Sequence, residues 1–213
     1  MAQQQIRQNY HEECEALVNK QINMELYASY VYVALANYFN RVDQALPGFA
    51  CFFKRSSCVV HHHGVSLMEY QAKRGGKVVL QDISKPSRMD WGTPLEAMTA
   101  VLELEKTVTQ TLQQLQTVAA QKNDFHLTDF IQQEFVVKKV NIIKEIGDMI
   151  TKIKMVSNGT GIFTVDQELQ KAVVAQTLVD LQNVVSKVKH CQVNQAQVET
   201  VKEIVDCLAT VTI

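Results

Sequence analysis

Apolar residues recur at intervals of three and four along most of the chain, which is the spacing of one helix face and not the alternation of a strand. Over 12–40 the stripe is Ala16, Leu17, Ile22, Leu26, Tyr30, Val33 and Ala34. A helix of that length spans roughly 40 Å at ~1.5 Å per residue. Residues 43–48, DQALPG, make a turn in which Pro47 suits the first position of a second helix. That helix runs to about Arg74 and stops at Gly75-Gly76, because glycine takes the left-handed cap conformation without a Cβ penalty. A third helix opens on Thr93-Pro94-Leu95-Glu96, which supplies a capping hydroxyl, a proline at the first position and an early acid. Its apolar positions are Leu102, Leu104, Val108, Leu112, Leu115 and Val118, ending near Gln121. A fourth helix covers 127–155 and turns Phe130, Ile131, Phe135, Val136, Val140, Ile143, Ile146 and Ile150 inward.

Between the second and third helices, 77–91 reads KVVLQDISKPSRMDW. Pro86 favours extended backbone before it, so this stretch is a crossover joining parallel helices and is too long for a tight antiparallel turn. The predicted fold is all-α, a ferritin-like four-helix bundle over 1–156 with one long crossover. Gly159-Thr160-Gly161 then reads as a hinge into an extension over 157–213, made of a short fifth helix and an amphipathic helical hairpin. Its first run carries Val165, Leu169, Val173, Thr177, Leu181, Val184, Val185 and Val188, and its second Val198, Val201, Ile204, Val205, Leu208 and Val211. Two such faces are expected to pack on each other, on neighbouring tails or on a client protein.

Composition narrows the field. Three prolines, eight glycines and long runs of Leu, Val, Glu, Lys and Gln favour helices over a sandwich or barrel. A net charge of −1 carries no signal for nucleic acid or a membrane surface. The polar start MAQQQIRQNY lacks the apolar core of a signal peptide and no run is long enough to span a bilayer, so a cytoplasmic location is expected. In that compartment Cys14, Cys51, Cys58, Cys191 and Cys207 are reduced thiols, and five cannot pair completely within one chain. The sequon at Asn158 is inert on the same reading.

The segments RQNYHEECEALVNKQINMELYASYVY, RGGKVVLQDISKP, LELEKTVTQTL, KNDFHLTDFI and KEIGD follow one another in order. They resemble the corresponding segments of animal cytosolic ferritins over about 7–155. The resemblance implies a homo-oligomeric shell of 24 subunits, with hetero-assembly with catalytic ferritin chains as a further partnership. In catalytic heavy chains, the ferroxidase centre takes a glutamate from the first helix, Glu-x-x-His from the second, and a glutamate and a glutamine from the third and fourth. By the resemblance, Glu25 and Glu105 match the outer carboxylates, His63 the histidine and Tyr32 the nearby tyrosine. Val60 stands at the bridging glutamate and Lys139 at the glutamine. Val59 replaces an adjacent carboxylate used in iron transit or nucleation, and Val59, His62 and Val65 together take the places of acids that seed mineral on the inner surface. At the three-fold channel Asp129 matches one acid and Gln132 replaces the other, which removes half the charge that guides iron there.

Two irons require several oxygen donors and a negative site. Two carboxylates and one imidazole here meet a lysine, so Lys139 is read as an ion-pair partner occupying the volume and charge of a metal. Ferritin light chains are similar in kind, with an internal lysine at a ligand position. Glu25 and Glu105 then read as its salt-bridge partners, and His63 as a hydrogen-bonded core histidine. Adjacent helical positions point about 100° apart, so His61, His62 and His63 cannot serve one ion together. Zinc or copper on one of them is the competing reading. No cofactor is expected beyond iron as cargo or an adventitious divalent ion at these histidines.

The favoured function is a catalytically inactive cage subunit, structural, protective or chaperone-like, with little or no iron oxidation or storage of its own. The alternatives are a light-chain-like storage subunit co-assembled with an active heavy chain, and a ferroxidase with unfamiliar ligands such as His62. The long extension beside a degenerate site is similar in organisation to artemin, a ferritin relative with a chaperone role.

Overall fold

The computed structural model describes residues 6–156 and 159–190. Helix α1 (Glu12–Phe39) folds back on α2 (Pro47–Lys73), and a crossover leads to α3 (Pro94–Gln121). The fourth rod is composite: α4 (Phe125–Ile131), a π-helical turn at Gln132–Val136, and α5 (Val137–Met155). The last described element is α6 (Gly159–His190). No strand occurs among the described residues.

Local chemistry sets the helix ends. The His11 ring accepts the Glu13 amide at 3.1 Å, and Glu12, Glu13 and Glu15 place negative charge in the first turn of α1. Pro47 occupies the start of α2, and Gly75 takes φ +74° just beyond its end. Both halves of the capping box form before α3: Thr93 Oγ1 accepts the Glu96 amide at 3.3 Å, and Glu96 Oε2 accepts the Thr93 amide at 2.7 Å. Side-chain bonds also track the crossover. Asn19 binds the Lys77 carbonyl at 3.0 Å, Asn23 the Asp82 carbonyl at 3.1 Å, and Tyr38 the Asp90 carboxylate at 3.0 Å. The partners advance together along α1, so the crossover travels the bundle's length and α3 starts at the end where α2 started.

The inward face of α1 differs from the predicted stripe. Cys14, Val18, Ile22, Ala28, Tyr32, Leu35 and Phe39 are buried, whereas Ala16, Tyr30 and Val33 are exposed. The true face also buries Gln21, Glu25 and Ser29, polar side chains that break the hydrophobic pattern on the side that matters. The fourth helix needs a similar correction. Ile131, Phe135 and Lys139 all point inward at intervals of four, and Val140 is 60% exposed. Eight residues of unbroken α-helix would overshoot two turns by about 80°. The wider π turn absorbs that excess and carries Lys139 inward in place of Val140.

The extension is also organised differently. Gly159 and Gly161 lie in the first turn of α6 and not in a hinge, and the short fifth helix and the first amphipathic run are one helix of 32 residues. It packs on α2, burying Val165, Asp166 and Leu169. Asp166 Oδ1 accepts the Phe49 amide at 2.9 Å, satisfying one of the unpaired donors in the first turn of α2. A Cβ on Gly48 would lie 1.9 Å from the Asp166 carbonyl oxygen, so the close approach requires glycine. The second amphipathic run, Cys191, Cys207 and Asn158 lie outside the described residues.

Loss of this cap should cost about 1 kcal/mol, the usual worth of an N-terminal capping carboxylate. Asp166→Ala is therefore expected to speed hydrogen exchange at Phe49 and along 165–169 while the amides of α3 keep their protection. Unchanged exchange at those positions would show that Asp166 does not hold α6 to α2.

Candidate functional site

Each helix of the bundle contributes to one buried polar cluster. Glu25 and Tyr32 stand two turns apart on α1, Val60 and His63 share a face of α2, Glu105 comes from α3, and Lys139 follows the π turn on α5. All six are buried, and Lys139 has no exposed surface. The Lys139 ammonium lies 2.8 Å from Glu105 Oε2 and 3.7 Å from Glu25 Oε2. The other Glu105 oxygen accepts the Tyr32 hydroxyl at 2.5 Å. Glu25 Oε1 accepts the Gln21 amide at 2.9 Å, and Gln21 in turn accepts the Thr111 hydroxyl at 2.6 Å. Each carboxylate is thus held by one neutral donor and drawn to one shared cation.

Burial by itself pushes the Glu25 carboxyl up. The Lys139 ammonium, helped by His63 and Gln21, outweighs it and leaves the group below the usual glutamate range. Burial pushes Lys139 down, and the two carboxylates more than reverse that, so the amine is held above its ordinary value. Burial, reinforced by Glu105, pushes the Tyr32 phenol well up and keeps it a proton donor. Glu25 and Lys139 are therefore both charged at neutral pH. Such a pair is strongly destabilised by loss of a single partner, at about 3–5 kcal/mol.

This donor set does not fit a pair of dications as it stands. The Lys139 ammonium lies between Glu25 and Glu105, at 3.7 and 2.8 Å, and Val60 contributes no donor atom. Among the described residues, no group of three or more His, Cys, Asp or Glu side chains is arranged to hold a metal ion.

His63 departs from the expected hydrogen-bonded core histidine. Its Nδ1 is 3.6 Å from Glu25 Oε2, and neither atom has a hydrogen-bond partner. The ring instead sets its edge against Phe135, with centroids 5.5 Å apart. His61 and His62 are exposed and take no part in the cluster. Asp129 is exposed, and Gln132 accepts a bond from Gln116 at 2.8 Å. Sequence reasoning missed Gln21 and Thr111. Gln21 lies one turn before Glu25 on the same face, a signal that was present in the spacing. Among the described residues, no helix is long and apolar enough to cross a membrane.

Comparison with known proteins agrees with this architecture. The ferritin-like domain family matches residues 15–156. Soma ferritin of Lymnaea stagnalis is 51% identical over 168 residues, which cover 79% of this chain and 97% of that protein. Ferritin-1 heavy chain of Schistosoma mansoni is 51% identical over 162 residues, covering 76% and 94%. The ferritin middle subunit of Aquarana catesbeiana is 49% identical over 170 residues, covering 78% and 97%. About a fifth of this chain therefore has no counterpart in these relatives.

Proposed function

Because the chain belongs to the ferritin family, we propose that it is an iron-storage shell subunit that does not oxidise iron(II) itself, its oxidation site closed by a buried ammonium. The observation that carries this reading is Lys139, fully buried at 2.8 Å from Glu105 and 3.7 Å from Glu25. An ammonium there offsets half of the carboxylate charge that would draw iron, while Gln21 and Tyr32 hold the carboxylates in place. Val60 removes the oxygen that would bridge two ions. Residues 1–156 form the wall of a multi-subunit shell, alone or mixed with catalytic chains that supply ferric iron. Residues 157–213 are an added unit whose first helix lies along α2.

A second reading, a structural or protective shell that stores no iron, is favoured by the α2 face beneath α6. Val59 and His62 line it where storage would call for carboxylates. The aerobic addition of iron(II) to the purified homopolymer separates these readings. Oxidation is followed against a protein-free control, and iron retained in the size-exclusion peak is counted. The expected result is no acceleration, with iron retained once a catalytic heavy chain is co-assembled. Acceleration by the homopolymer would sink the proposal, and failure to retain iron even in mixed shells would favour the second reading.

A further inference from the structure

A groove of about 810 Å³ runs between α2, the π turn and α6, with His63 and Phe135 deep in it and Thr177 of α6 at its edge. Cys58 and His62 both line it from α2, where both are exposed, and Cys58 is a free thiol. They are four residues apart, so their Cβ atoms lie about 5–6 Å from each other on one helix face. Over that distance a sulfur and an imidazole nitrogen can close on a single ion. The sequence offers zinc or copper on a single histidine of the run, and helix geometry adds Cys58 as a second donor beside His62.

We propose that Cys58 and His62 form a two-donor site for a soft monovalent metal ion of the copper(I) class. Three features favour that ion. Thiolate and imidazole are soft and borderline donors, suited to copper(I) and poorly suited to a hard oxygen-seeking cation. Two protein donors fill a low-coordinate shell, whereas zinc holds to four. Lys54 lines the same groove, as do Lys138 and Glu134, which pair with each other at 2.9 Å. The Lys54 ammonium opposes a dication about twice as strongly as a monocation. The site shares no residue with the Glu25–Lys139 cluster, so it stands or falls separately from the closed oxidation site.

The test uses the full-length, reduced assembly and one equivalent of copper(I) per chain, delivered from a weaker copper(I) complex under anaerobic conditions. Each cysteine is then alkylated and its rate is mapped by peptide mass spectrometry, with zinc(II) run in parallel. Copper(I) should slow alkylation of Cys58 by about tenfold or more, since a metal-bound thiolate is no longer a free nucleophile, while Cys51 is unaffected. His62→Ala should abolish this protection, and it and Cys58→Ser should each remove a thiolate-to-copper absorption band. Both side chains are exposed, so circular dichroism should match the parent. An unprotected Cys58 would overturn the site, as would equal protection in His62→Ala, which would indicate a bare thiol. Equal protection by zinc(II) would overturn the assignment to a monovalent ion.

Discussion

Val60→Glu combined with Lys139→Gln is expected to oxidise iron(II) faster than protein-free buffer by about tenfold or more, equivalent to ~1.4 kcal/mol of barrier. The parent cluster has two carboxylates and one ammonium. The double variant has three carboxylates, one imidazole and one amide, an anionic oxygen-rich set that suits two iron(II) ions as substrate. Tyr32, already bonded to Glu105, remains in place, and the shorter glutamine yields volume that the longer glutamate needs. Neither single change should suffice. Glu at position 60 beside an intact Lys139 gains an ion pair and not a metal, and Lys139→Gln alone still lacks the bridging oxygen. The gain should therefore be strongly non-additive. Without metal the three buried carboxylates repel one another, so the variant should melt lower than the parent and recover with redox-inert zinc(II). Dioxygen consumption at stoichiometric iron decides the matter. A variant that assembles, gains stability from zinc and still fails to oxidise iron would show that Lys139 and Val60 are not what closes the site.

The helices were legible because their signals are local. Thr93 with Glu96, Pro47 at a helix start and Gly75 beyond a helix end each act within one turn. The inward faces were less legible because hydrophobicity stood in for burial. On α1 the core side carries Glu25, so a hydrophobic count favoured Tyr30 and Val33 on the outer side. On the fourth rod, Lys139 and Val140 exchange expected places because a π turn shifts the register, and nothing in QQEFV announces that turn. The residues of the cluster came from resemblance to a family, since polar residues on four separate helices have no common spacing to reveal them. Tertiary detail around them was not legible. The orphaned His63 Nδ1 and the Thr111–Gln21–Glu25 relay depend on how α1, α2 and α3 pack. The extension shows the same division: its amphipathic spacing was readable, but its seat on α2 depends on a glycine 118 residues before Asp166.

Lys139→Met alone is expected to destabilise the chain by about 3–5 kcal/mol at neutral pH, because it strands two buried carboxylates that have only neutral donors left. Methionine matches the lysine stem in shape, so the loss isolates the charge from the packing. Adding Glu25→Gln and Glu105→Gln should recover most of it, since replacing every member of a buried ionic group by neutral isosteres is often close to neutral. The pH dependence fixes the sign. The folded value of Glu25 is lowered, so its stabilisation is complete above the unfolded glutamate value of about 4.3 and is lost as pH falls through the folded value. The folded value of Lys139 is raised, so its share is complete below about 10.4 and is lost as pH rises through the folded value. The gap between parent and Lys139→Met should therefore be wide through the neutral range and narrow in acid, where protonation relieves the stranded carboxylates. Denaturant unfolding at fixed protein concentration and several pH values measures it. A gap that stays constant into acid, or a triple variant no more stable than Lys139→Met, would mean that the lysine contributes packing and not charge.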